Sequence, residues 1–366
     1  MKQQNSKKTQ ETSNILLENT AWEAIYERYA KEIITNKNKY GINSKRFQVN
    51  KPLLVYSSLS KVKSDLNTTA YDLRFAGQSV GLIEVNKEAK VMLTVSESQA
   101  KYAKENFNFS MSKELNRVDW KKDADAIEFR RFYLKSESTK EVAIKSPEHR
   151  IESKLLDEFS KDSRKKNKLL CNIQPVRLGG KFFQLTTPLK GSTHIPTLSL
   201  TKKENGATGG GIDILARIKH TPFNSRIAII ELKDENVDNE PQEVAMYQAL
   251  IYATFIAHLL RSRSGNLWWY IFKNYRSNRD KIKGIIDFED FSKIRKLLED
   301  VPAHIDLDVV TLMPEGTSGE GSLEEIPLKE LNVTLHLYSL YYKEDKKGNP
   351  CEFVGTLVKE LKKYQK

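Results

Sequence analysis

Two short apolar segments that end in charge constrain this chain more than any other feature. One is Gly-Ile-Asp-Ile-Leu-Ala-Arg-Ile, around Asp213; the other is Ile-Ala-Ile-Ile-Glu-Leu-Lys, ending at Lys233. Both read as buried strands, because Ile, Leu and Ala run together or alternate. Charges at the ends of such strands are costly to desolvate unless they are paired or hold a metal. Pleating puts Glu231 and Lys233 on one face, since side chains two apart in a strand point the same way. Asp213 on the neighbouring strand then completes a small cage of oxygen ligands suited to a hard cation such as Mg²⁺. In that cage Asp213, one oxygen of Glu231, the Leu232 backbone carbonyl and waters hold the ion. Lys233 orients or helps deprotonate the attacking water, or neutralises charge in the transition state. The chemistry that fits is phosphodiester hydrolysis. The bland alternative makes Asp213 a turn residue and Glu231/Lys233 a solvated pair before the polar loop Asp234–Glu240.

A long apolar helix is predicted over Pro241–Leu260, with Gln248 and Tyr252 four residues apart and so on one face. Two polar-capable side chains on one stripe of a mostly apolar helix suit the border of a cavity. Taken together, Gly-Gly-Gly-Ile-Asp-Ile-Leu-Ala-Arg, Ile-Ile-Glu-Leu-Lys and Gln248-Ala-Leu-Ile-Tyr252 resemble the PD-(D/E)xK nuclease superfamily. The glutamine and tyrosine are similar to its RecB-like exonuclease branch.

The resemblance covers Pro147 to about Lys273 and implies an α/β restriction-endonuclease-like core, a central mixed sheet flanked by helices. It implies Mg²⁺, with Mn²⁺ as a substitute, and DNA as the partner. Asp213 matches the motif aspartate, Glu231 and Lys233 the (D/E)xK pair, and Gln248 and Tyr252 the downstream helix motif that lines the site. Glu152 matches the glutamate often found on the first core helix, with Glu148 as the alternative. Lys181 is a further candidate substrate contact. Ile212 stands where the motif's name has proline.

A chain of 366 residues has room for two domains. No stretch approaches 18 uninterrupted apolar residues, so no membrane span is expected. The N-terminal Met-Lys-Gln-Gln-Asn-Ser-Lys-Lys lacks the apolar core of a secretory signal, and only Cys171 and Cys351 are available for disulfides. A cytoplasmic setting is the expectation. The net charge of +12, with lysine clusters at Lys161–Lys168 and Lys359–Lys366, favours a polyanionic partner. A protein partner or homo-oligomer remains open, as does a non-catalytic nucleic-acid-binding or assembly protein that retains the nuclease fold.

The expected organisation is an α+β N-terminal domain over residues 15–134, a nuclease-like domain over 147–320, and a C-terminal β-hairpin extension with a basic tail over 321–366. The first dozen residues are expected to be disordered. A helix is predicted over Thr20–Ile34, strands over Lys51–Ser57 and Ala89–Val95, and a hairpin turning near Ala76-Gly77. A helix capped by Ser96 or Ser98 follows, and Asp123–Phe132 fits helix or strand. The N-terminal domain carries Arg74, Lys87, Arg117, Arg130 and Arg131, each a phosphate contact or ordinary surface charge. In the second domain a helix is predicted over Pro147–Ser160, then a hairpin through Leu178-Gly179-Gly180. Thr187–Gly210 reads as a mobile loop and Leu267–Lys273 as an aromatic strand. A helix over Phe291–Glu299 and strands over Ile305–Met313, Asn332–Tyr342 and Phe353–Val358 complete the reading. The last two strands extend the nuclease sheet or return to the N-terminal domain.

Overall fold

The computed structural model describes residues 2–36, 49, 52–58, 68–86, 90–136, 147–159, 170–178, 181–191, 196–201, 206–234, 242–274, 298, 300–317, 323–346 and 348–363. The lysines at 161–168, Lys87, most of the 135–145 link, the 235–240 loop and most of the helix predicted over 291–299 lie outside the described residues.

The chain forms two compact units. The smaller comprises Glu32–Ser153 and Arg177–Phe183; the larger comprises Met1–Lys31, Lys154–Val176 and Gln184–Lys366. This division departs from the consecutive segments expected at 15–134, 147–320 and 321–366. Three facts account for it. The first 31 residues belong with the larger unit, a short later hairpin joins the smaller unit's sheet, and the C-terminal strands share a sheet with the Asp213 strand.

In chain order, α1 (Lys2–Glu18) and α2 (Ala21–Asn36) precede β1 (Leu53–Ser58), β2 (Thr68–Phe75), β3 (Gln78–Asn86) and β4 (Val91–Val95). Then come α3 (Glu97–Phe107), β5 (Leu115–Asp119), α4 (Ala124–Ser136) and α5 (Pro147–Glu158). Strands β6 (Ile173–Pro175), β7 (Arg177–Leu178) and β8 (Lys181–Gln184) follow. In the smaller unit the sheet order is β5-β4-β3-β2-β1-β8-β7. The β2–β3 hairpin turns at Ala76 and Gly77, with φ of 48° and 80°, the positive pair that matches strand twist in a two-residue turn. Ser96 caps α3 through a reciprocal box with Gln99. The segment compatible with helix or strand is helical, as α4, and its Phe129 and Tyr133 are buried in one core with Leu73, Ile83 and Leu93.

The larger unit is a mixed sheet flanked by helices. Its strands are β6, β13 (Ile214–Lys219), β14 (Ser225–Leu232), β15 (Ile305–Pro314), β16 (Glu324–Leu328), β17 (Val333–Glu344) and β18 (Pro350–Val354). Between β8 and β13 lie two-residue strands β9 (Leu189–Lys190), β10 (Thr197–Leu198), β11 (Leu200–Thr201) and β12 (Gly206–Ala207), pairing as β9/β10 and β11/β12. The sheet order is β16-β17-β15-β14-β13-β6, with β18 also on β17. Strands β6, β13 and β14 run antiparallel, whereas β14, β15 and β17 are mutually parallel. A parallel neighbour needs a crossover; α6 (Gln242–Arg261) lies between β14 and β15 in sequence and packs on both. Helix α6 is long and apolar enough to cross a membrane by length and composition, but 78% of that window is buried inside the fold, as in a core helix.

Four local expectations are corrected. Residues 2–18 form a helix, α1, docked on α6. Its buried face is Asn5, Thr9, Thr12, Ser13 and Leu16, small and mostly polar, so hydropathy does not reveal it. Asn5 donates to Glu324 (2.9 Å), Ser13 Oγ lies 3.1 Å from His258 Nε2, and Tyr247 donates to Gln4 (2.7 Å). The aromatic run is helical rather than a strand, as α7 (Gly265–Trp269) continued by a π-helical turn over Tyr270–Asn274. Among its described side chains only Asn266, Trp269 and Lys273 are part-exposed, a spacing of three and four that suits a helix against a core. Trp268 packs near Tyr26, with ring centroids 5.9 Å apart, and Tyr26 packs on Phe255 at 4.8 Å. The last predicted strand stops at Val354; Gly355, at φ 128°, leads into α8 (Thr356–Lys362). Finally, the described parts of 187–210 carry short ladders and backbone bonds, including Gly210 N to Leu189 O (2.8 Å), rather than an open loop.

Candidate active site

Antiparallel pairing of β13 with β14 runs from Ile214↔Ile230 to Lys219↔Ser225. Asp213 therefore stands one residue before the ladder, beside Glu231 and Leu232. Its Oδ2 accepts the Leu232 amide at 2.9 Å, which fixes the carboxylate at the strand end. Glu231 is fully buried and Lys233 nearly so, and their side chains form an ion pair at 3.2 Å. The Lys233 amide donates to Leu312 O (2.9 Å) and its carbonyl accepts the Tyr342 hydroxyl (3.1 Å), so β15 and, beyond it, β17 both hold the lysine backbone. Tyr342 also lines an open cavity of about 480 Å³ with Pro314, Glu315, Lys343 and Glu344.

Helix α6 brings Tyr252 to this strand end. Burial raises the Tyr252 phenol above its ordinary range, and the charges of Glu231 and then Asp213 raise it further, while Gln248 and Lys233 oppose them. The phenol is thus held neutral near the two carboxylates. Gln248 Nε2 donates to Tyr252 OH at 3.3 Å.

Two glycines close over these residues. A Cβ at Gly191 would lie 3.0 Å from Gln248 Cγ and 3.2 Å from Tyr252 Cε1; one at Gly210 would overlap the Tyr252 hydroxyl. Gly210, at the end of the segment read from sequence as a mobile loop, is thus a place where backbone must pass close to an aromatic ring. That close approach, together with Tyr342, is what sequence reading missed. Glycine clustering was the available signal.

The expected residues divide between the units. Asp213, Glu231, Leu232, Lys233, Gln248 and Tyr252 come together in the larger one. Glu152, on α5, and Lys181, on β8, belong to the smaller. There Glu152 Oε1 accepts the Tyr56 hydroxyl (3.4 Å) and lies 4.0 Å from Arg74 Nη1. Burial dominates, only partly offset by Arg74, and pushes its carboxyl up to about 7. Arg74 also donates to Asp72 (2.7 Å) and stacks over the Tyr56 ring. Lys181 is held below its ordinary range by burial.

Asp213 and Glu231 supply hard oxygen donors, the set Mg²⁺ takes when it binds through one or two carboxylates plus water and substrate oxygens. Among the described residues no group of three or more His, Cys, Asp or Glu is placed to hold a metal by itself. The chain matches no family model, no curated protein and no solved structure.

Proposed function

We propose that the chain is a Mg²⁺-dependent nuclease of the PD-(D/E)xK type that hydrolyses phosphodiester bonds in DNA. One observation carries this reading: Asp213, Glu231 and Lys233 converge at one end of the β13–β14 pair, and α6 adds Tyr252 to the same point. The order of three antiparallel strands, crossover helix and parallel strand supports the restriction-endonuclease-like core. In the proposal Asp213, Glu231 and the Leu232 carbonyl hold the ion. When bound, the ion supplies Lewis-acid stabilisation of the phosphate and a more acidic water. Lys233 would orient the attacking water or meet the charge that develops on the phosphate. Tyr252 and Gln248 donate hydrogen bonds that position substrate. The proposed centre does not draw on Glu152 or Lys181.

Buried Glu231 and Lys233 are expensive to retain without a task, which favours an enzyme over a non-catalytic nucleic-acid-binding protein. The test is incubation of the purified chain with Mg²⁺ or Mn²⁺ and labelled linear, circular and single-stranded DNA, beside Asp213→Ala. Cleavage by the wild type alone supports the reading. Binding without cleavage by either protein points to the non-catalytic alternative, and equal cleavage by both rejects this centre.

A further inference from the structure

Phe223 is 101% exposed, at the tip of the hairpin that joins β13 to β14. The tip is built to stay in shape. His220 and Thr221 amides donate to Asn224 O (3.0 and 3.2 Å), and Thr221 Oγ1 accepts the Asn224 and Phe223 amides (3.0 and 3.3 Å). Pro222 presets its own φ. At the hairpin base, buried His220 lies 2.6 Å from Asp308, which Arg226 also meets at 3.4 Å. An aromatic ring with its whole surface in water, held on a rigid turn, costs hydration free energy and adds nothing to the core.

Cations gather beneath it. Lys219, exposed, pairs in register with Ser225, and Ser225 Oγ accepts from Lys273 at 3.0 Å. Arg217 shares the face of Lys219 by strand alternation and donates to the Lys273 carbonyl at 3.0 Å. Burial and the Arg217 charge hold the Lys273 ammonium down at about 8. Like charges kept this close favour an anionic ligand. At about 3.3 Å per residue, the base of the turn at Ser225 stands roughly 20 Å along β14 from Glu231.

We infer that this hairpin tip is a second nucleic-acid contact, in which Phe223 stacks on an unpaired base while Lys219, Arg217 and Lys273 attract the phosphates. The inference rests on the nucleic-acid reading but not on catalysis. A base offers every flat aromatic a stacking partner whatever the sequence, and an unstacked base is exposed only in single strands, ends or bulges.

The test uses the full chain in EDTA, so that nothing is cleaved, with a fluorescently labelled single-stranded oligonucleotide and its duplex. Phe223→Ala is expected to weaken single-strand binding about 10-fold or more, the order of one lost stacking contact, and duplex binding much less. Lys219→Gln is expected to flatten the dependence of log K on log salt by about 0.7 on single strands. In Phe223→Trp, the emission added over the wild type's four tryptophans should be quenched on binding. Unchanged affinity with an unquenched tryptophan overturns the inference, even where the wild type cleaves DNA with Mg²⁺. Emission that shifts with protein concentration alone also overturns it, in favour of contact between copies. Quenching by a chain that never cleaves leaves this contact standing and removes the nuclease reading.

Discussion

Gly210 lies against Tyr252 so closely that a Cβ there would stand 2.8 Å from the ring carbon Cζ and overlap the hydroxyl. The backbone between β12 and β13 therefore sets where the phenol sits, and the phenol in turn senses Glu231 and Asp213. Gly210→Ala is expected to displace Tyr252 and lower DNA cleavage by about 10- to 100-fold, the scale of a small misplacement at a reacting centre. Tyr252→Phe should cost less on the Gly210→Ala background than alone, because the displaced hydroxyl has already lost its position. Kinetics of both single variants and the double variant decide it; simple additivity would mean the glycine acts elsewhere.

The Glu231–Lys233 pair makes a separate stability prediction. Removing one partner leaves a buried charge alone, at a cost of about 3–5 kcal/mol. Lys233→Met should therefore destabilise the fold strongly, and Glu231→Leu with Lys233→Met should cost less than the sum of the single changes. Urea unfolding checks this. In activity, Lys233→Met should lose at least about 100-fold while still binding DNA.

His258 ties α1 to α6 and responds to acid. Burial holds its imidazole down at about 4, against an ordinary 6.5. The native state thus binds its proton later than the unfolded chain does. The stability this contributes is present above about 6.5 and is lost as the pH falls through about 4. Thermal unfolding between pH 7 and 4 should show a smaller decline for His258→Gln than for the wild type. Parallel curves would sink the assignment.

Glu152 should act with the opposite slope. Its folded value near 7 exceeds the ordinary 4.5. Its contribution is complete below about 4.5 and is lost as the pH rises through about 7. Glu152→Gln should therefore gain stability relative to the wild type between pH 5 and 8. A constant difference across that window would show that Arg74 keeps Glu152 charged throughout.

Much of the candidate site was legible because strand and helix periods are local. Spacing of two put Glu231 beside Lys233, and spacing of four put Gln248 beside Tyr252. The Ala76-Gly77 turn and the Ser96 cap were readable for the same reason. Helix α1 was not, since its buried face is polar and makes sense only against Glu324, His258 and Tyr247. The aromatic run misled because six consecutive apolar residues suit a strand or a helix equally, and packing against Tyr26 decided the matter.

By itself the sequence determined which segments are apolar, where their charges fall and which side chains share a face, because those properties depend on neighbours a few residues away. Tertiary structure alone decided that Asp213 meets the Leu232 amide, that Gly210 closes on Tyr252, and that Glu152 joins Arg74 and Tyr56. It also decided that the first helix and the last strands belong with the same sheet as Glu231. Each of these joins residues far apart in the chain, and their contacts depend on strand order and helix docking, which no local pattern encodes.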